Sequence, residues 1–258
     1  MKGVLIGLFG SLLLVSTACD SPEARDFYQI KIYDLETTEQ ESRMDNYLED
    51  ALLPALHRTG IENVGVFKSI EGRNDNRKFI LVLTPFKSFV DIEKLDGLLS
   101  HDETYRHDAK NYLEAPYDNP PFTRIESFLL RSFSSKPQFK IPELEGPISQ
   151  RVYELRSYEG ATELLYERKV EMFNEAGEIE LFKELEFNPV FFGEVLSSAH
   201  MPHLMYMITF SDTLSQKAHW DAFRAHPDWL EMKELDRYQN TVSNITQYLM
   251  FPSDYSDI

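Results

Sequence analysis

Sliding the sequence along itself by 125 residues lays the segment 28–101 on 153–226 without a gap. Tyr28 and Tyr33 meet Tyr153 and Tyr158, Asn63 meets Asn188, Phe67 meets Phe192, Thr84 meets Thr209 and His101 meets His226. With Thr37/Thr162, Arg43/Arg168, Ala51/Ala176, Leu56/Leu181 and Asp96/Asp221 there are 11 identities in 74 positions, where average composition gives about 4 to 5 by chance. Conservative pairs such as Ile30/Leu155, Lys31/Arg156 and Asp34/Glu159 keep the same register. A duplicated unit restricts the architecture, because two copies of one domain can pack against each other as a pseudo-dimer within one chain.

Each copy reads β-α-β-β-α-β. In the first, Tyr28 to Tyr33 alternates as a half-buried strand, and a helix follows with Met44, Leu48, Ala51, Leu52 and Ala55 on one face. Pro54 is expected to kink that helix and Gly60 to cap it. Strands at Asn63 to Ile70 and Lys78 to Thr84 flank a polar turn at 72–76. An interrupted helix from Phe89 to Tyr112 and a strand at Arg124 to Phe133 complete the unit. The second copy has a strand at Arg151 to Tyr158 and a helix from Thr162 that continues past Gly177 through Leu185. Strands at Val190 to Ser197 and Leu204 to Phe210, a helix from Ser215 and a strand near Ile245 to Phe251 follow. The predicted fold class is α+β: two tandem ferredoxin-like units packed sheet to sheet as an intramolecular barrel, helices outside. The units span 27–133 and 150–258, and the Pro-rich, aperiodic stretch 134–149 is the linker.

The N-terminus reads as an export signal over 1–18. Lys2 gives a positive start, and Val4 to Val15 is an apolar run too short for a stable membrane span. Ser16-Thr17-Ala18 leads to Cys19, the single cysteine of the chain, in a pattern that resembles the lipobox of bacterial lipoproteins. Cys19 has no second cysteine to pair with, so lipidation there, a polar tether over 19–26 and attachment to the bacterial cell envelope are expected. An ordinary secretory leader with an incidental cysteine is the alternative. The net charge of -17, one unit more negative without Lys2, argues against nucleic acid, whose phosphates need a basic stripe.

Several second-unit motifs resemble the NIPSNAP family: Tyr153-Glu-Leu-Arg-Ser-Tyr158, Phe173-Asn-Glu-Ala-Gly-Glu-Ile179, Phe187 to Val195, Leu204 to Phe210, and His219-Trp-Asp-Ala-Phe-Arg224 with Pro227-Asp-Trp229. The first unit looks like a diverged copy, strongest from Ala55 to Phe67, without the tryptophan pair. The resemblance implies a dimeric α+β barrel. It implies little chemistry: the family has no established reaction, and its eukaryotic members are linked to vesicle traffic and mitochondrial quality control. The wider superfamily includes monooxygenases, isomerases and haem-handling proteins, an analogy of fold alone.

Glu154, Arg156 and Tyr158 share one face of a strand, as Gln29, Lys31 and Tyr33 do in the first unit. That polar set is expected to face the barrel interior, as a ligand site or as a structural network in which every charge is paired. Arg156, Glu178, Glu194 and His219 are the candidates for chemistry, since burial beside apolar residues can shift a carboxylate or imidazole toward acid–base work. Glu154, Tyr158, Tyr206 and Trp220 are the candidates for ligand contact. Core packing is the competing reading for His219, Trp220, Phe223 and Trp229. His200 and His203 are expected in an exposed turn, because two histidines without a third ligand do not define a metal site. No phosphate loop, dinucleotide fingerprint or recognisable nucleophile is present, and neither metal nor cofactor is expected. Three functions stay open: a tethered module binding a small, partly apolar ligand or a protein partner; a cofactor-independent monooxygenase or isomerase; and a structural envelope protein. Further homo-oligomerisation is left open.

Overall fold

The computed structural model describes residues 24–258; the leader and Cys19 lie outside the described residues. The first unit runs β1 (Phe27–Asp34), α1 (Thr38–Tyr47), α2 (Leu53–Arg58), β2 (Gly65–Ser69), β3 (Phe79–Phe86), α3 (Phe89–His101), α4 (Glu103–Asp108), α5 (Lys110–Leu113) and β4 (Arg124–Ser132). The second runs β5 (Val152–Glu159), α6 (Glu163–Asn174), α7 (Glu178–Glu184), β6 (Pro189–Ser197), β7 (His203–Phe210), α8 (Thr213–Ala225), α9 (Pro227–Met232) and β8 (Asn244–Pro252). The eight strands close into one antiparallel barrel in the order β1-β3-β2-β8-β5-β7-β6-β4. Each unit contributes a four-stranded sheet, and the two join edge to edge through β2·β8 and β4·β6. Closure leaves neither sheet with a free edge.

The lumen is filled with side chains. Tyr28, Ile30 and Ile32 of β1 meet Tyr153 and Leu155 of β5, with Phe67, Phe79, Phe128, Phe191 and Tyr248 between them. Two further clusters lie outside the barrel, between each sheet and its own helices. Thr37 caps α1 with a reciprocal bond from Gln40, and Thr162 caps α6 at the position 125 residues on. Two helices depart from expectation. The irregularity near Pro54 is a π turn at Leu48–Leu52 that precedes the proline. The second-unit helix breaks at Gly177, whose φ of 103° turns the chain from α6 into α7 in a conformation that favours glycine.

The ungapped 125-residue register holds through β1 and α1 and then fails. Tyr28 lies opposite Pro85 and Tyr153 opposite Thr209, which places β3 and β7 at an offset of 124. Gly65 opposite Leu83 and Phe191 opposite Met207 place β2 and β6 at 126. The extra residue enters at a bulge between Pro189 and Phe191. Alternation makes the shift visible: Phe67 points into the lumen and Phe192 toward the helices, so that identity pairs opposite faces.

The segment 134–149 is packed as a strap. Lys140 N–H donates to Val190 O at 3.0 Å and Phe139 N–H to Asp26 Oδ2 at 2.9 Å. The Arg151 guanidinium holds Leu144 O at 2.7 Å. The end of the expected tether is docked as well, since Asp26 is buried beside Lys87 and Arg25 reaches Ser132 O and Glu194.

Candidate functional site

Tyr153 and Leu155 fill the lumen, so alternation turns Glu154, Arg156 and Tyr158 outward, beneath the helices of the second unit. This corrects the expectation that the polar face lines the barrel interior. Arg156 Nε donates to Glu154 Oε1 at 2.5 Å, and Gln247 Nε2 to the same oxygen at 2.6 Å. Gln216 Nε2 and Trp220 Nε1 both reach Glu154 Oε2 at 2.8 Å. Glu154 is fully buried, and four donors satisfy a carboxylate that has about four acceptor positions. The Arg156 guanidinium lies 3.8 Å from the centroid of the Trp220 ring. Burial opposes its charge, but Tyr206, Tyr158 and Glu154 together hold it firmly protonated. The Tyr158 and Tyr206 hydroxyls meet at 2.8 Å, and burial pushes that of Tyr206 well above the usual phenol range.

Next to this network Lys169 Nζ bonds Glu178 Oε2 at 2.6 Å, both side chains being buried. Burial raises the Glu178 carboxyl against the opposing pull of Lys169. The same ammonium sits 4.6 Å from the Phe173 ring centroid and 5.5 Å from that of Tyr158. The fold therefore gathers Glu154, Arg156, Tyr158, Tyr206 and Trp220, with Glu178 joined through Lys169. His219 and Glu194 stand apart. His219 Nδ1 donates to Ser215 O at 2.7 Å, with the ring against Phe187 and Phe210. Glu194 pairs with Arg25 and Arg131 on the β4·β6 seam. Lys169, Gln216 and Gln247 are the members of the network that sequence reasoning missed. Only Lys169 left a signal, a lysine on the same helical face as Met172 and Phe173.

The histidine pair is also corrected. His200 is exposed, but His203 is buried at one end of the barrel, with Nδ1 2.7 Å from Ser157 Oγ and Nε2 2.6 Å from Ser198 Oγ. Burial lowers its pKa to about 4. It borders a cavity of about 340 Å³ with Arg77, Glu126, Glu159 and Tyr248. Arg77 there is already held by Asp34 at 2.5 Å and Glu126 at 2.7 Å. Among the described residues, Glu184, His226 and Asp228 bring three metal-capable atoms within 4.8 Å of one another, and both carboxylates are exposed.

The opposite end of the barrel carries a larger opening. A cleft of about 820 Å³ runs between the strap and the β6 bulge. Phe139, Pro142, Leu144, Ile179, Val190 and Phe191 supply apolar walls, and lysines and glutamates stand along the rim.

With barrel, network and cleft described, the molecule is of the dimeric α+β barrel class, both halves supplied by one chain. No family model matches the chain, and no curated protein matches it. Among solved structures, a candidate monooxygenase from Fusobacterium nucleatum subsp. nucleatum is 10% identical and covers 89% of this chain and 93% of its own, with a TM-score of 0.58. A candidate monooxygenase from Lactobacillus acidophilus is 9% identical over 88% of this chain and 94% of its own, TM-score 0.56. A NIPSNAP-family protein of unknown function from Agrobacterium tumefaciens is 14% identical over 43% of this chain and 95% of its own, TM-score 0.36. The likeness to the two candidate monooxygenases is one of fold alone.

Proposed function

We propose that the protein is a binding module of the bacterial cell envelope, lipid-anchored through Cys19, that holds a small, partly apolar molecule in the cleft between strap and β6. The observation that carries this reading is the contrast between a closed polar network and an open cleft. Glu154 has all its acceptor positions filled, and Glu178 and Glu194 are each engaged by a cation. An oxygenase or isomerase without a cofactor needs a proton-transferring group that faces an enclosed space. The candidate groups are each engaged instead: Arg156 by Glu154, Glu178 by Lys169, Glu194 by Arg25 and Arg131, and His219 by the Ser215 carbonyl. The cleft has the mixed lining of a small-molecule site, apolar walls with a few polar groups. The apolar run from Val4 to Val15, followed by Ser16-Thr17-Ala18 and Cys19, supports the anchor, and no helix of the described residues is long and apolar enough to cross a membrane.

Native mass spectrometry of the full chain released from mild detergent tests the binding reading. A population carrying an additional small mass, lost on acid denaturation, is the expected result. Uniformly unliganded protein, with no thermal shift across a panel of small apolar compounds, refutes it. For the anchor, Cys19→Ser is expected to abolish radiolabelled palmitate incorporation and to move the protein from the membrane to the soluble fraction. An unlabelled wild-type protein, or an equally membrane-bound variant, removes the lipoprotein assignment.

A further inference from the structure

Two features of the strap bear on what the cleft holds and where that molecule comes from. The first is shape. Nine of the ten residues from Lys136 to Glu145 line the opening, so it follows the strap lengthwise and is a groove rather than a round pocket. Val190 and Phe191 of β6 and Ile179 of α7 form an apolar wall opposite. Around them Lys136, Lys140 and Lys183 balance Glu143, Glu145 and Glu186, which leaves the rim without net charge in a chain of -17. A long apolar trough with a neutral polar rim suits an unbranched hydrocarbon chain whose head stays in water.

The second feature is the route to the membrane. Asp26 N–H donates to Pro137 O at 2.7 Å, and the Asp26 carboxylate accepts from Phe139 N–H at 2.9 Å. Both strap residues line the cleft. Cys19 precedes Asp26 by seven residues, which reach at most about 25 Å when extended, less than the ~30 Å thickness of a bilayer's hydrocarbon core. A lipid anchor at Cys19 therefore keeps this end of the barrel close to the bilayer surface. On the other side of the strap α3 places Val90, Lys94 and Leu98 on one face, at i, i+4 and i+8. Val90, Leu98 and the strap's Ile141 are each about half exposed. Exposed apolar residues beside lysines suit a surface that rests on lipid.

We infer that the cleft receives a single acyl chain from a lipid of the membrane that anchors the protein. The inference rests on the binding function and the anchor proposed above. The chain lies along Phe139, Leu144, Ile179, Val190 and Phe191, and the head group stays among the rim lysines and glutamates.

Calorimetric titration of the full chain with octanoate, decanoate, dodecanoate and adamantane-1-carboxylate tests the class of ligand, since the four share one head. Affinity is expected to rise about two- to fourfold per added methylene, and decanoate to bind at least about tenfold tighter than the compact cage of similar carbon number. Leu144→Asp, which puts a charge on the half-buried strap wall, should weaken decanoate at least about tenfold. Leu144→Phe, which narrows the groove without a charge, should weaken dodecanoate most, and it decides the matter if the charge disturbs the strap. Leu214→Asp, on the exposed start of α8, should change nothing. The source is tested by lipid mass spectrometry of organic extracts. Acyl lipid is expected with wild type taken from membranes, and at least about tenfold less with soluble Cys19→Ser or with Leu144→Asp, which keeps the anchor. Equal or tighter binding of the cage, no gain with chain length, or an affinity unchanged by both Leu144 variants overturns the acyl-chain site. Equal loading of soluble Cys19→Ser overturns the membrane as its source. If none of the four probes binds while another small apolar compound shifts the melt, the acyl chain falls alone; if nothing binds, the binding function falls with it.

Discussion

The two halves of the molecule place different chemistry at the same position of one plan. Counted from the capping residues Thr37 and Thr162, Met44 in the first unit corresponds to Lys169 in the second, and Leu53, which opens α2, to Glu178, which opens α7. In the first unit this spot is apolar, with Met44 and Leu53 in a cluster that includes Tyr33 and Tyr47. The Tyr47 ring stacks on Tyr112 at 3.6 Å between centroids. In the second unit it is a buried ion pair of 2.6 Å beside a saturated carboxylate. A fold that tolerates both does not need the charges to form. Buried pairs are weak evidence for stability, and an apolar pair of similar size is often as good or better.

The sharpest way to break this comparison is to make the second unit like the first. Lys169→Met alone, which strands the buried Glu178, is expected to cost about 3–5 kcal/mol in urea unfolding. The double variant Lys169→Met/Glu178→Leu should return to within about 1 kcal/mol of wild type or exceed it. If the double variant is as unstable as the single, the pair supports the fold after all. Glu154 gives a second contrast. Glu154→Gln faces the four donors with an amide and leaves Arg156 without its anion, at a cost of about 3 kcal/mol. The equivalent Gln29→Glu, on the half-buried face of β1, should change stability by less than about 1 kcal/mol.

One barrel end carries a buried group that responds to acid. His203 is held neutral in the fold, with a pKa lowered to about 4 from 6.5 by burial. Between those values the unfolded chain binds the extra proton, so stability rises with pH across that window. The contribution is complete above pH 6.5 and lost as pH falls toward 4, at most about 3 kcal/mol. His203→Gln should flatten that segment of a stability-against-pH curve, and an unchanged slope would show that other groups set it. The smallest contrast lies in the caps. Thr37 has a reciprocal partner in Gln40, whereas Leu165 at the matching position cannot reciprocate. Thr37→Ala should therefore cost more than Thr162→Ala, each near 1 kcal/mol, and equal losses in thermal melts would assign the box no added value.

The barrel was legible in the sequence because β1 and β5 carry the same tyrosines at the same spacing, with a capping threonine after each. Which face of β5 looks inward was not. Alternation groups Glu154 with Arg156 and Tyr158, but Tyr153 and Leu155 are no less apolar than their lumen neighbours require, and only closure decides the side. The offsets of 124 and 126 were hidden for a related reason. Identities such as Phe67/Phe192 keep the count of residues while exchanging the faces. Gln216 and Gln247 come to Glu154 from α8 and β8 across long sequence separations. Nothing in their local sequence marks them. His203 follows a predicted turn, and its burial depends on contacts with β4, such as the Phe128 ring 6.0 Å away, which local sequence does not mark.

Covalent fusion of the halves has an evolutionary consequence. In a barrel assembled from two identical chains, every substitution enters twice, at symmetry-related places, and must be tolerated in both. Here a residue changes once. The bulge at Val190, beside the strap, has no counterpart in β2, so the clefts on the two sides of the pseudo-twofold axis, of about 820 and 650 Å³, are lined differently. Such a chain can specialise one half and keep the other as scaffold.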